Sequence, residues 1–187
     1  MDHFESLVKT LLEAEGYWVR QSFRVGLTKE EKKTIGKPSI PRPEIDILAL
    51  HFQRNEILVL EAKSYLDSPG VRLSELQEEH TVAEGRYKLF TSKNFRTVVL
   101  QRLLTDLQAA KMANAKTKLQ IGLVAGKVYQ KKSQAILDFM LAKGWVFWSP
   151  EDIKVKVEAL AEMGYTNDPA IITAKILLRS RAVLAPG

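Results

Sequence analysis

Two apolar segments separated by only a few residues constrain this chain more than anything else in it. Residues 44–52 (EIDILALHF) and 56–64 (EILVLEAKS) are non-polar at nearly every position. A strand with one wet face alternates polar and apolar residues, whereas a run like this suits a strand covered on both faces. The connection at residues 53–55 is short enough for a hairpin, so the two strands should pair antiparallel. Such a hairpin needs helices on both sides of its sheet.

The rest of the chain supplies them. Phe4, Leu7, Val8, Leu11 and Leu12 recur at helical spacing over residues 2–15, and Gly16 follows as a stop. Residues 17–25 are rich in aromatic and β-branched types and read as a strand. Residues 26–43 are polar and broken by Pro38, Pro41 and Pro43, the pattern of a long loop. Residues 66–84 carry at most a short helix from Leu73. The spacing then predicts a helix over 94–115, a strand over 119–125, a helix over 130–143 and a short strand over 145–148. Ser149-Pro150-Glu151-Asp152 and Asp168-Pro169 each open a helix with a capping residue and a proline. The expected fold is one α/β domain over residues 1–187: a central mixed sheet flanked by helices to about residue 148, then a two-helix extension over about 149–187.

The 187 residues contain no cysteine, so disulfides and thiolate metal sites are excluded. No window reaches the roughly 20 continuous apolar residues of a membrane span, and the N-terminus lacks a signal-peptide pattern. A cytoplasmic protein is the expectation. The formal net charge of +6 draws the chain towards polyanions.

Acid-x-Lys occurs four times, and three of the four have ordinary explanations. Glu30/Lys32 and Glu31/Lys33 lie in the charged loop, and Asp152/Lys154 sits in a helix first turn. Glu61 and Lys63 are different, because their strand is otherwise Ile57, Leu58, Val59, Leu60 and Ala62. Alternation puts Glu61 and Lys63 on one face. If Gln53-Arg54 is the hairpin loop, Asp46 opposes Glu61; if Arg54-Asn55 is the loop, Asp46 opposes Lys63. Both registers put Asp46 on that same face, and only an odd loop without a bulge removes it. Two carboxylates beside one lysine leave an excess negative charge, which is expensive to bury. A divalent cation removes it, and Mg²⁺ is commonly held by one or two carboxylates, waters and a substrate phosphate. The plain alternative is a buried ion pair without chemistry.

The segments Glu44-Ile45-Asp46 and Leu60-Glu61-Ala62-Lys63 resemble the PD-(D/E)XK nuclease superfamily, the restriction-endonuclease-like fold. Phe4-Glu5-Ser6-Leu7-Val8 and the run from Leu11 to Tyr17 are similar to the first helix and strand of its resolvase-like and Mrr-like members. The likeness covers roughly residues 1–66, and the order of elements extends it loosely to Trp148. It implies a Mg²⁺- or Mn²⁺-dependent deoxyribonuclease in which Asp46 and Glu61 bind metal, Lys63 is the catalytic lysine and Glu5 joins the metal shell. The proline of the family pattern is Ile45 here, with Pro43 two residues before it.

Residues 85–96 (GRYKLFTSKNFR) interleave cations with aromatics, a composition suited to phosphates and bases. Arg86, Lys88, Lys93, Arg96 and, further on, Arg102 are the expected DNA contacts. His51 and the Trp145/Phe147/Trp148 group read as structural. DNA is the expected partner, and cutting both strands of a duplex would favour a homodimer. Two rivals stand beside the nuclease: a nucleic-acid-binding module of the same fold with an inactive site, and an interaction protein whose Asp/Glu/Lys cluster is only structural.

Overall fold

A computed structural model describes residues 2–182 of the chain, with side chains to Leu178. Met1 and residues 183–187, the end of the expected extension, lie outside the described residues. The elements are α1 (His3–Ala14), β1 (Trp18–Arg24), α2 (Lys29–Thr34), β2 (Glu44–His51), β3 (Glu56–Lys63), α3 (Leu73–Leu76), α4 (Lys88–Thr91), α5 (Lys93–Ala109), β4 (Lys118–Ala125), α6 (Ser133–Ala142), β5 (Val146–Trp148), α7 (Pro150–Leu160) and α8 (Pro169–Ala182). Five strands form one mixed sheet in the order β1-β2-β3-β4-β5. The β1–β2 and β2–β3 pairs are antiparallel, and β3–β4 and β4–β5 are parallel.

The apolar runs of β2 and β3 occupy the middle of the sheet, as their composition demands. Alternation divides their side chains between two cores. Leu48, Leu50, Ile57 and Val59 join Leu123 and Phe147 on the first face, under Phe95, Val99, Leu103 and Leu107 of α5 and Ile136 and Met140 of α6. Ile47, Ala49, Leu58, Leu60 and Ala62 point to the second face, under Val8, Leu11 and Leu12 of α1.

The two C-terminal helices complete that second face. Ile153 and Leu160 of α7 and Ile171 and Ala174 of α8 belong to the same core as α1 and Trp148. Thr10 donates to Asp168 Oδ2 at 3.0 Å, and Lys156 pairs with Glu15, so polar contacts tie the extension to α1 as well. Ser149 and Asp152 form the capping box that starts α7. A chain ended after Trp148 should therefore lose its cooperative thermal transition and expose apolar surface, which dye binding and a melt would report.

The 26–43 segment differs from expectation in containing α2. Thr28 accepts from the Glu31 amide while Glu31 reaches back to the Thr28 amide, a reciprocal cap. None of the α2 side chains is buried, so the helix lacks the apolar stripe that marks one in sequence. Among the described residues, no helix is long and apolar enough to cross a membrane.

Candidate active site

The turn at residues 52–55 sets the register of the central hairpin. His51 pairs with Glu56, and the ladder runs to Ile47 opposite Leu60. One more step puts Asp46 opposite Glu61, the first of the two registers open in the sequence. The regular ladder stops there because Asp46 takes over a backbone donor: its Oδ2 accepts from the Ala62 amide at 2.9 Å. That bond fixes the carboxylate against the end of β3.

The neighbouring strand is distorted at the same level. Between the pairs Gln21–Ile47 and Phe23–Ile45 stands Ser22, with φ 50°. The left-handed conformation is costly for a residue with a Cβ. On either side of it the apolar residues change face: Val19 and Ile47 point to the second core, while Ile45 and Phe23 pack against the first. Both strands rotate together, and the rotation occurs at Asp46.

Lys63 joins the two acids. Its Nζ lies 3.0 Å from Glu61 Oε1 and 3.4 Å from Asp46 Oδ2. The side chains are recessed, with 13% exposure for Glu61, 20% for Lys63 and 25% for Asp46. Burial pushes the Glu61 carboxyl up to about 7, against the pull of Lys63 and with the help of Asp46. Burial by itself would lower the Lys63 pKa, but the two carboxylates overcome it and raise it, so Lys63 is an ammonium. With both carboxylates ionised, the three groups carry one net negative charge.

Glu5 stands at the start of α1. Its carboxyl is also raised to about 7, by burial first and then by the charge of Asp46, with smaller contributions from Asp2 and Glu44. Glu5 thus feels the cluster electrostatically. Among the described residues, however, no three or more His, Cys, Asp or Glu side chains gather in a way that could hold a metal ion. The compact acid set is the Asp46–Glu61 pair.

The cluster lies in a cleft of about 1110 Å³. One wall is the segment from Ile40 to Ile45, and the other is formed around Gly85–Leu89 and the start of α5. Arg24, Arg42, Arg86 and Lys88 stand around it. Arg24 also donates to Glu44 at 3.0 Å across the β1–β2 edge. Arg86 interacts with the Tyr65 hydroxyl, which holds the guanidinium pKa above its ordinary value.

The expected DNA-contacting residues separate into groups. Arg86 and Lys88 reach the cleft. Lys93 and Arg96 line a different hollow with Trp145 and Lys143. Arg96 donates to the Leu89 and Phe90 carbonyls at 3.1 and 3.0 Å and lies 5.0 Å over the Trp145 ring, a structural use of its charge. Arg102 is spent on Glu31 of α2, at 2.8 and 2.9 Å, and on Asp106 at 3.6 Å. Arg24 and Arg42 also line the cleft, and they come from either side of the lysine-containing segment 29–37 rather than from the 85–96 run. His51 is structural, as expected: it packs edge-on to Tyr17 and its Nδ1 accepts from the Arg54 amide.

β4 supports the Lys63 end of β3 by a close backbone approach. The Gly126 amide donates to the Lys63 carbonyl at 2.8 Å, and a Cβ at Gly126 would sit 2.5 Å from the Ser64 oxygen and 3.2 Å from the Phe4 ring. Gly126→Ala should destabilise the protein by about 1–3 kcal/mol in a urea melt, the ordinary cost of forcing a packed backbone apart. A wild-type midpoint would contradict this packing. No family model, curated protein or solved structure matches this chain.

Proposed function

We propose that the protein is a metal-dependent nuclease that hydrolyses phosphodiester bonds in DNA, on a restriction-endonuclease-like core. The observation that carries the proposal is the recessed Asp46–Lys63–Glu61 bridge on the floor of a cation-rimmed cleft. A structural ion pair has no need of a second carboxylate, and a divalent cation would offset the burial that, with the charge of Asp46, raises Glu61. The donor set fits such an ion: two carboxylates, from Asp46 and Glu61, with open space for water and phosphate oxygens. When bound there, Mg²⁺ or Mn²⁺ polarises a phosphate oxygen and lowers the pKa of a water molecule.

The side chains divide the remaining work. Asp46 is held in place by the Ala62 amide, so its free oxygen keeps a fixed direction. Lys63, protonated, offers N–H donors to the attacking oxygen and to charge developing on the phosphate, rather than serving as a base. Arg42, Arg86 and Lys88 draw the phosphate backbone into the cleft and hold its flanks. The separated arrangement of the basic segment gives a specific outcome. Replacing Arg42, Arg86 and Lys88 with Ala should weaken DNA binding across sequences and flatten the dependence of log K on log salt by about 0.7–0.9 for each phosphate no longer held. Arg102→Ala should leave that slope unchanged and lower the melting temperature instead, since it releases Glu31.

The proposal is tested by incubating the purified chain with plasmid, linear, single-stranded and branched DNA, with and without Mg²⁺. Cleavage only with the cation supports the nuclease. DNA retained but uncut identifies the inactive binding module, and neither activity identifies a structural cluster.

A further inference from the structure

We infer that the substrate strand enters this cleft unpaired, as single-stranded DNA or as the free arm of a fork, and that an intact duplex does not reach the carboxylates. The inference rests on the nuclease reading of the same site and adds to it the form of DNA accepted. Three observations carry it. The first is enclosure. The cleft, of about 1110 Å³, is lined on one side by residues 40–45 and on the other by residues 85–89, with Asp46, Glu61 and Lys63 between them.

The second is depth. Glu61 and Lys63 keep only 13% and 20% of their side-chain surface in contact with solvent. A phosphate must descend between the walls to meet them. In a duplex each phosphate is fixed to a paired and stacked strand, whereas a single strand can bend in alone.

The third is the chemistry of the walls. On one side exposed Pro41 and half-buried Ile40 present apolar surface, while the cations stand beside them. A duplex offers such a wall sugar-phosphate backbone and the base edges of its grooves, because its base faces are stacked inside. An unpaired strand offers both: phosphates for Arg42, Arg86 and Lys88, and base faces for the apolar side. Pro41 and Arg42 are both exposed and adjacent, so one stretch of chain presents an apolar and a cationic contact together. A single-strand cutter also needs no second copy to complete its reaction.

The test uses the whole chain and one labelled oligonucleotide presented in three ways: alone, in a blunt duplex, and as the unpaired arm of a forked duplex. In Mg²⁺ the strand alone and the forked arm should be cut at least about tenfold faster than the duplex. Ile40→Asn, which removes apolar surface where bases would pack without adding charge, should weaken binding of the single strand about tenfold and leave duplex binding unchanged. Duplex cleavage as fast as that of the single strand overturns the inference while leaving the nuclease standing. If none of the three is cut in Mg²⁺ or Mn²⁺, the nuclease reading fails. Binding of the same three without divalent cation then decides the cleft: a tenfold preference for the unpaired strand upholds its fit, and equal or duplex-favouring affinity overturns it.

Discussion

Lys63→Ala should lower the rate of DNA cleavage by about 10²–10³-fold while leaving DNA affinity near that of the wild type. The ammonium sits between the two carboxylates; in the nuclease reading it contributes to the transition state, whereas the cations of Arg42, Arg86 and Lys88 around the cleft would supply most of the attraction for the phosphate backbone. A merely structural trio predicts a different pattern. There, removing Lys63 strands two recessed carboxylates and costs about 3–5 kcal/mol of stability. Asp46→Asn separates the readings further. Asn keeps an oxygen to accept from the Ala62 amide but removes the charge. In the nuclease it should abolish cleavage and with it any rise in melting temperature on adding Mg²⁺. In a structural cluster it relieves the excess charge and leaves the melt unchanged or higher. Melts of both variants with and without Mg²⁺, run beside the cleavage assay, tell the two apart.

The second large effect is a loss of stability with rising pH in the absence of divalent cation. The Glu61 carboxyl titrates at about 7 in the folded protein against an ordinary value of 4.5. The folded state therefore binds this proton more tightly than the unfolded chain does. Its contribution is fully present below pH 4.5 and is lost as the pH rises through 7. The difference corresponds to about 3 kcal/mol, or roughly 6–12 °C in melting temperature for a chain of this size. Glu5 acts in the same direction. Glu61→Gln should flatten the dependence between pH 5 and pH 8. Because a metal ion competes with the proton, Mg²⁺ should stabilise the wild type more at pH 8 than at pH 5. A metal-free melting temperature that is level or rising over this range, with no difference between wild type and Glu61→Gln, would remove the excess charge from the account.

The hairpin at the centre of the sheet was legible because its information is local. Ile57–Leu60 and Ile47–Leu50 are apolar on both faces, and a two-residue period carries Asp46, Glu61 and Lys63 to one side. Which of two registers holds was not legible, since it depends on the turn at residues 52–55, where Asn55 takes φ 50°. The rotation of β1 and β2 at Ser22 was invisible for a similar reason: a serine in the left-handed region carries no sequence signal. Helix α2 had its capping pair, Thr28 and Glu31, on view, but nothing apolar to confirm it. The C-terminal helices were readable as helices from Ser149-Pro150 and Asp168-Pro169. Their role in closing the second core was not, because it depends on long-range contacts with Val8, Leu11 and Leu12.

The basic segment shows the limit most clearly. Residues 85–96 are contiguous in sequence, yet α4 and the start of α5 turn the chain between Lys88 and Lys93. Two of its cations enter the cleft and two enter another hollow. The cleft is completed instead by Arg24 and Arg42, which the folding of β1 and the proline-rich approach to β2 bring in from elsewhere.

The central claim is that the Asp46–Lys63–Glu61 bridge is a hydrolytic centre. Its most direct measurement is single-turnover cleavage of labelled DNA in Mg²⁺ by wild-type and Asp46→Asn proteins purified side by side. The account predicts a cut by the wild type, none without the cation, and at least about a 10²-fold slower cut by the variant. Equal cleavage by both preparations, or none by either, would contradict it.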